Sequence, residues 1–562
     1  MRWSILMGTA PEFREVFDAY SKAFGHDGQP RSRTTVTDAR VNQITELLLQ
    51  CKRVARIIKL RCSNARAVSQ EFNLILPSKE VADQMATNYF NSFESTYRIL
   101  HIPTFWRDYQ SFWLQPQAAT VETQLQILLV VAIGSSLHQT ESPDAELRNS
   151  VYSWVYAAQS WLSGPLEKEK LTFSSLQIYC LAILAREIFS IGGDLVWMSM
   201  GSLVNRAMQM GLHRDPKHLP PMSTLQAELR RRLWATILEM LVQSSLDSAL
   251  PPRISLSDFD TAAPVDIEDH WIDDSTTEVP TAPAYPLGAF TSTSIQKMLL
   301  ASLPTRLRIV NLLNGLHTEL SYSDALVLSS EILQACQSLQ KSFRNYNTPK
   351  ITAFHRNLLE FLVRRFVMPL HCPFLIKSKT HPEYCYSLQV SVQSAMAILS
   401  PEPDADYSHL MALGGGMFKE GVRCAGTVLS LEFIRKLNAL KLDGTLKRCS
   451  ENLEVLRKYL QTILSLSTER IRQGETNVKM HLFISMILAH ARAVDDDVPC
   501  EPSVTRAATE SLEFCLELLK ARIASLPPAE CNGPDVFTTS TQGLGTDMDF
   551  GLEFFFDNTS PF

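Results

Sequence analysis

The sequence predicts an all-α fold, a large multi-helix domain with disordered termini, and three observations carry this. Apolar residues recur at spacings of three and four through most of the chain, the period of a helix face. Proline, glycine and capping residues interrupt that pattern at helix-length intervals. No stretch alternates apolar and polar residues as a half-buried strand would. The composition agrees: 45% of the 562 residues are hydrophobic and 20% charged, ordinary for a globular chain. A net charge of -6 gives no global attraction to nucleic acid, so DNA contact requires a local basic segment. The 11 cysteines include no Cys-x-x-Cys pair, which argues against a disulfide framework and for a reducing compartment. Apolar runs at 127–133 and 181–185 fall short of the roughly 20 residues that span a bilayer, and no signal-peptide pattern opens the chain. No membrane partner is expected.

Residues 1–38 read as loosely structured, with Gly25, Gly28 and Pro30. Residues 39–76 form a basic amphipathic helix: Val41, Ile44, Leu48, Cys51, Ala55, Ile58, Cys62 and Ala65 make an apolar stripe, with Lys52, Arg53, Arg56 and Lys59 between them. Three readings stand, ranked in this order: a helix packed on the body, a homo- or heterodimerisation helix, and an arm whose four cations touch the DNA backbone. Cysteine and alanine make a poor coiled-coil seam, which places packing first.

Pro77 closes that segment and Ser78 opens the all-helical body, 77–526. Tyr89, Phe90, Phe93 and Tyr97, then Phe105, Trp106 and Tyr109, read as an aromatic core stripe. Helices are expected at 121–138, 144–162, 172–190 and 194–210. Gly211 and Pro216 end the last of these. Ser223 with Gln226 has capping-box spacing, starting a helix that runs to about Leu246, before Pro251 and Pro252.

Arg230, Arg231 and Arg232 fan about 100° apart around this helix. Leu229 and Leu233 fix its buried face, so at least one guanidinium lies along the flank, within reach of Asp215, Glu228 or Asp247 in a forked geometry. A structural ion-pair lattice between two packed helices is favoured over a ligand-binding or catalytic role. His213, beside the helix end, reads as a capping or hydrogen-bonding side chain. His218 follows it, but no close cysteine pair completes a zinc site. No metal ligand and no catalytic residue is assigned.

The acidic segment 258–286 reads as a solvated connection. Further helices are expected at 291–303, 305–320, 324–346, 351–370, 382–399, 417–438, 450–473, 475–494 and 502–525. His371 and Cys372, between Pro369 and Pro373, read as a loop dipeptide. Gly414, Gly415 and Gly416 lack the Lys-Ser/Thr ending of a phosphate loop and read as a flexible helix junction. Residues 527–562 form a flexible acidic-aromatic tail, with Phe550, Phe554, Phe555 and Phe556 among carboxylates. That is the composition of an activation tail, whose acids keep the rings solvated until a coactivator groove accepts them. Docking of the same rings back on the body is the equal alternative.

Three motifs occur in order: Arg206-Ala-Met-Gln-Met-Gly-Leu-His-Arg-Asp-Pro216, Glu228-Leu-Arg-Arg-Arg-Leu-Trp234 and Ser248-Ala-Leu-Pro-Pro252. Together they resemble the regulatory middle homology domain of fungal-specific transcription factors, and Tyr89 to Phe105 resembles its opening segment. The resemblance is best over 76–290 and looser to about residue 525. Its signature positions here are Arg206, Gly211, His213, Arg214, Asp215, Arg230, Arg231, Arg232, Trp234 and Pro251, in a structural role. Ala249 stands where the family usually has glycine.

The resemblance implies a regulatory domain, not an enzyme, acting in the nucleus on RNA polymerase II transcription. It also implies a small-molecule effector in some members. Family members usually carry a zinc DNA-binding module. Cys51 and Cys62 are the only cysteines before residue 180, so the residues in hand build no such module. Zinc is therefore expected only with an upstream module, and DNA only through that module or a partner. Two rivals stay open: a regulator without its own DNA-binding domain that works through a zinc-cluster partner, and a helical ligand-binding protein or enzyme on the same fold.

Overall fold

The computed structural model describes residues 10–13, 16, 36–67, 74–138, 145–164, 170–276, 290–316, 318–346, 348–445 and 451–525. Among them all repetitive structure is helical. The segment 1–38, apart from its few described positions, and the whole tail with Phe550, Phe554, Phe555 and Phe556 lie outside the described residues.

The described chain divides into two compact units. One takes Phe72–Leu370 and Ser400–Gly421. Its first helices are α2 (Lys79–Tyr89), α3 (Ile102–Leu114), α4 (Val121–Ser135), α5 (Ala145–Ser163), α6 (Phe173–Phe189), α7 (Val196–Gln209) and α8 (Thr224–Ser248). After a long loop come α9 (Ser294–Leu300), α10 (Leu303–Asn314), α11 (Tyr322–Tyr346), α12 (Ala353–Arg364) and α15 (Ala405–Ala412). The second unit holds α1 (Val36–Ala67), α14 (Cys385–Leu399), α17 (Glu451–Gln473), α18 (Lys479–Asp495) and α19 (Cys500–Ser525). Two helices, α13 (Val367–Leu375) and α16 (Lys419–Leu442), cross the boundaries between these segments.

The helix starts follow local chemistry. Thr120, Thr172, Ser223 and Asp404 each accept a hydrogen bond from the backbone N–H three residues on, a cap that contributes about 1 kcal/mol. In the first unit α4 is the central element, with Ile127 to Ile133 all buried and α2, α5 and α6 packed around it. In the second, α1 packs along α19 through Ile44, Leu48, Cys51 and Ile58, all buried.

Two local expectations need correction. Gly414 to Gly416 is a close backbone crossing and not a loose junction. Gly416 N–H donates to Glu187 O at 2.5 Å, and a Cβ on Gly415 would lie 1.8 Å from Ile188 O. Only glycine permits this approach to the end of α6. His371 and Cys372 lie inside α13 and not in a loop. Pro369 sits in the first turn, where no N–H is needed, so Pro373 removes one internal hydrogen bond and the short helix survives. His371 is buried with its Nδ1 2.9 Å from Ser387 Oγ.

Candidate functional site

The signature positions converge on α8 and the segments it holds. Gly211 takes the left-handed conformation, φ +74°, that ends the α7 turn and turns the chain toward Asp215. Asp215 is fully buried and accepts from both Nε and Nη2 of Arg231 at 3.1 Å each. Backbone N–H groups of Lys217 and Ala262 also donate to it, at 3.1 and 3.0 Å. Burial raises its pKa, but the hydrogen bonds from Arg231, Ala262 and Lys217 prevail and hold it well below the usual carboxylate range. Arg231 Nη1 reaches Glu228 at 2.7 Å, and Glu228 in turn accepts from Val265 N–H at 2.9 Å. Arg230 donates to Met210 O at 2.5 Å, across the α7–α8 turn. Arg231 therefore ties the turn, α8 and the 260–265 loop together.

Arg232 points inward. It is fully buried and its Nη1 donates to Asp269 Oδ1 at 2.8 Å. Arg98, also buried, shares that oxygen. Arg98 follows the short helical turn Ser95–Tyr97 and takes a left-handed backbone, φ 48°, a conformation costing a non-glycine residue roughly 1–2 kcal/mol. Asp269 Oδ2 accepts from Ile102 N–H at 3.0 Å. Burial pushes the Asp269 carboxyl up, but Arg98 and Arg232 outweigh it and hold it at about 2. Beside this cluster Glu94 accepts from Tyr89 OH at 2.6 Å and Leu100 N–H at 2.9 Å. Its burial dominates and lifts it to about 7, against the pull of Arg98.

Further along α8, Glu239 holds Arg306 with two 2.7 Å hydrogen bonds, and Asp247 pairs with Arg365 rather than with the arginine triplet. One helix thus carries ionic contacts to the segment after the α7 turn, the 260–272 loop, α10 and the end of α12, and through Asp269 it is joined to Arg98.

The remaining predicted positions have plainer places. Arg206 donates to Leu162 O at 2.8 Å and lies over the Tyr179 ring. Arg214 is exposed, 3.5 Å from Asp260. Trp234 is buried between Phe259 and His213, and Pro251 O accepts from Trp197 Nε1 at 3.2 Å. His213 does not cap: its Nδ1 is buried with no hydrogen-bond partner among the described residues, and its ring lies against Trp234. Lys52, Arg53, Arg56 and Lys59 are exposed on α1, apart from this lattice.

The lattice is a closed ionic core and not a cleft. Buried or partly buried Ser–His pairs do occur: Ser95 with His355, Ser387 with His371 and Ser511 with His481, at 2.8, 2.9 and 2.7 Å. In the first, Thr352 N–H donates to His355 Nδ1, so Nε2 carries the proton and donates to Ser95. That imidazole cannot take a proton from the hydroxyl. Among the described residues no cluster of three or more His, Cys, Asp or Glu is arranged to hold a metal ion, and no helix is long and apolar enough to cross a membrane. A surface cavity of about 400 Å³ lies along α11 and α12, lined by Cys336, Gln340, Lys341, Arg344, Asn345 and Arg364.

Residues 86–360 match the family model described as the fungal specific transcription factor domain. The match continues past residue 290 into α12. The chain is 38% identical to the transcription factor asR3 of Sarocladium schorii, over 97% of this chain and 70% of that protein. It is 36% identical to the transcription factor opdR of Penicillium oxalicum, over 82% of this chain and 62% of that protein. It is 32% identical to the transcription factor lepE of Aspergillus flavus, over 85% of this chain and 60% of that protein. The chain therefore spans between 60 and 70% of the length of these relatives. No solved structure matches it.

Proposed function

This chain belongs to the fungal specific transcription factor family and is a transcription regulator of that type, and from that premise we propose that it acts in the nucleus as the helical regulatory part of a DNA-bound assembly. The observation that carries the reading is the α8 lattice within the matched residues 86–360. Three of its signature side chains, Asp215, Arg231 and Arg232, are spent on largely buried ion pairs, which suits a rigid body that positions other parts and not a reaction centre. DNA is reached through a zinc module outside these residues or through a partner that carries one, and homo- or heterodimerisation serves that end. The acidic-aromatic tail with Phe550, Phe554, Phe555 and Phe556 supplies the coactivator contact, in the manner of an amphipathic segment laid into an apolar groove. A small effector would sit in the cavity beside α11, where Lys341 and Arg344 suit an anionic one.

The test tethers the chain to a reporter promoter through a foreign DNA-binding module. The full chain should activate the reporter, and removal of residues 527–562, or replacement of the four phenylalanines by alanine, should abolish most of that activation. Undiminished reporter output without the tail would reject the coactivator reading.

A further inference from the structure

The side of α1 turned away from α19 presents Lys52, Arg53, Arg56 and Lys59, all exposed, with Leu49 also exposed among them. At about 100° per residue these five positions fall within roughly 120° of helix arc, so they form one face, basic with an apolar centre. Glu46 stands at its margin, 3.9 Å from Arg53.

Residues 527–562 have the complementary chemistry. They carry Glu530, Asp535, Asp547, Asp549, Glu553 and Asp557, with no lysine, arginine or histidine. Their charge equals the formal -6 of the whole chain, so the rest of the molecule is neutral overall. The described residues that precede them end alongside α1. Arg61 Nη1 donates to Ile523 O at 3.3 Å, which sets the last turn of α19 against the C-terminal half of α1. From Arg61 back to Lys52 is about 13 Å of helix, whereas a chain leaving α19 has a reach of about 30 Å by residue 535.

We propose that residues 527–562 dock on the basic face of α1, their carboxylates against Lys52, Arg53, Arg56 and Lys59 and a phenylalanine of 550–556 over Leu49. A nucleic acid backbone would also be drawn to four cations. The tail, however, is tethered to the same unit, at an effective concentration on the order of millimolar, so it occupies the face first. The contact rests on charge and chain geometry and stands whether or not the tail recruits a coactivator. While docked, the tail is withheld from other partners and α1 from phosphate.

The experiment uses the full chain. A carbodiimide joins lysines to carboxylates only where they touch. It should link Lys52 or Lys59 to tail acids in monomer-sized material, with Lys350 to Glu268, 2.8 Å apart, as the internal control. Chymotrypsin cleavage after Phe550 to Phe556 should also speed up about tenfold in the Lys52→Glu, Arg53→Glu, Arg56→Glu variant. A similar gain is expected for the unaltered chain at about 0.5 M salt, where exposed charges are screened. These substitutions leave the buried seam on α19 untouched, so the helix should stay packed. Tail links absent while the control link forms, links confined to dimer-sized species, or cleavage rates indifferent to both the substitutions and salt would each overturn the proposal.

Discussion

Replacing Asp269 by asparagine tests the ionic core at the point where it is most concentrated. Two buried guanidiniums, Arg98 and Arg232, depend on this carboxylate. Their remaining Nε atoms, with Nη1 of Arg98 and Nη2 of Arg232, have no hydrogen-bond partner among the described residues. Breaking a buried pair by removing one partner costs about 3–5 kcal/mol, and here one neutralisation strands two cations, so the upper end applies. At about 2 °C per kcal/mol for a large unit, the melting temperature should fall by roughly 10 °C. Arg232→Met in the same background should recover part of this, because it removes one of the two stranded charges. The double variant should therefore be at least about 2 kcal/mol more stable than the sum of the singles predicts, a coupling typical of residues in one buried network. Urea unfolding followed by circular dichroism on the four proteins measures the cycle. A cost below about 1 kcal/mol for Asp269→Asn, with additive singles, would refute the reasoning.

Other outcomes follow from the same geometry. Gly415→Ala places a Cβ 1.8 Å from Ile188 O; with overpacking at about 1–3 kcal/mol and strained backbone hydrogen bonds besides, it should destabilise by about 3–5 kcal/mol. An unchanged melting point would show that the crossing can open freely. Ala249 caps α8 with φ 54°, so Ala249→Gly should relieve roughly 1–2 kcal/mol of strain against up to about 1 kcal/mol of added chain entropy. A small rise in the melting temperature is expected, and a fall would contradict it. Protonation sets a stability optimum. Burial lowers His355, His371 and His481 to about 4 from 6.5, so each is neutral when folded and contributes stability that is lost as pH falls below 6.5. Burial raises Glu94 and Glu187 from 4.5 to about 7, so each contributes stability fully present below 4.5 and lost as pH rises through 7. Three groups against two should make the melting temperature rise to about pH 6.5 and then fall toward pH 8. A steady rise to pH 8 would contradict the two glutamates.

The helices could be read because their signals are local. Ser223 caps α8 through Gln226 N–H, and Gly211 and Pro216 stand where the chain turns. Asp215 and Glu228 were within reach of helix arithmetic from Arg231, being 16 and three residues away. Asp269 gave no such signal. It lies 37 residues beyond Arg232, in an aperiodic acidic stretch that reads as solvated, and its burial depends on Arg98 from a distant segment. Arg98 and Glu94 were hidden in the same way, since the aromatic stripe around them announces a core and says nothing of charge. A left-handed arginine after Tyr97 has no sequence mark. Gly415 shows the opposite problem, in that a glycine run states that a side chain is not tolerated but not what stands in its way. Ile188 O is supplied by tertiary structure alone.

Regulation of transcription by this helical body follows from the family it belongs to. Its most direct test is chromatin immunoprecipitation of the tagged chain at native expression, paired with transcript measurement in cells lacking it. Enrichment is expected at a limited set of promoters whose transcripts change when the chain is removed. No enrichment over an untagged control, together with unchanged transcripts, would contradict it.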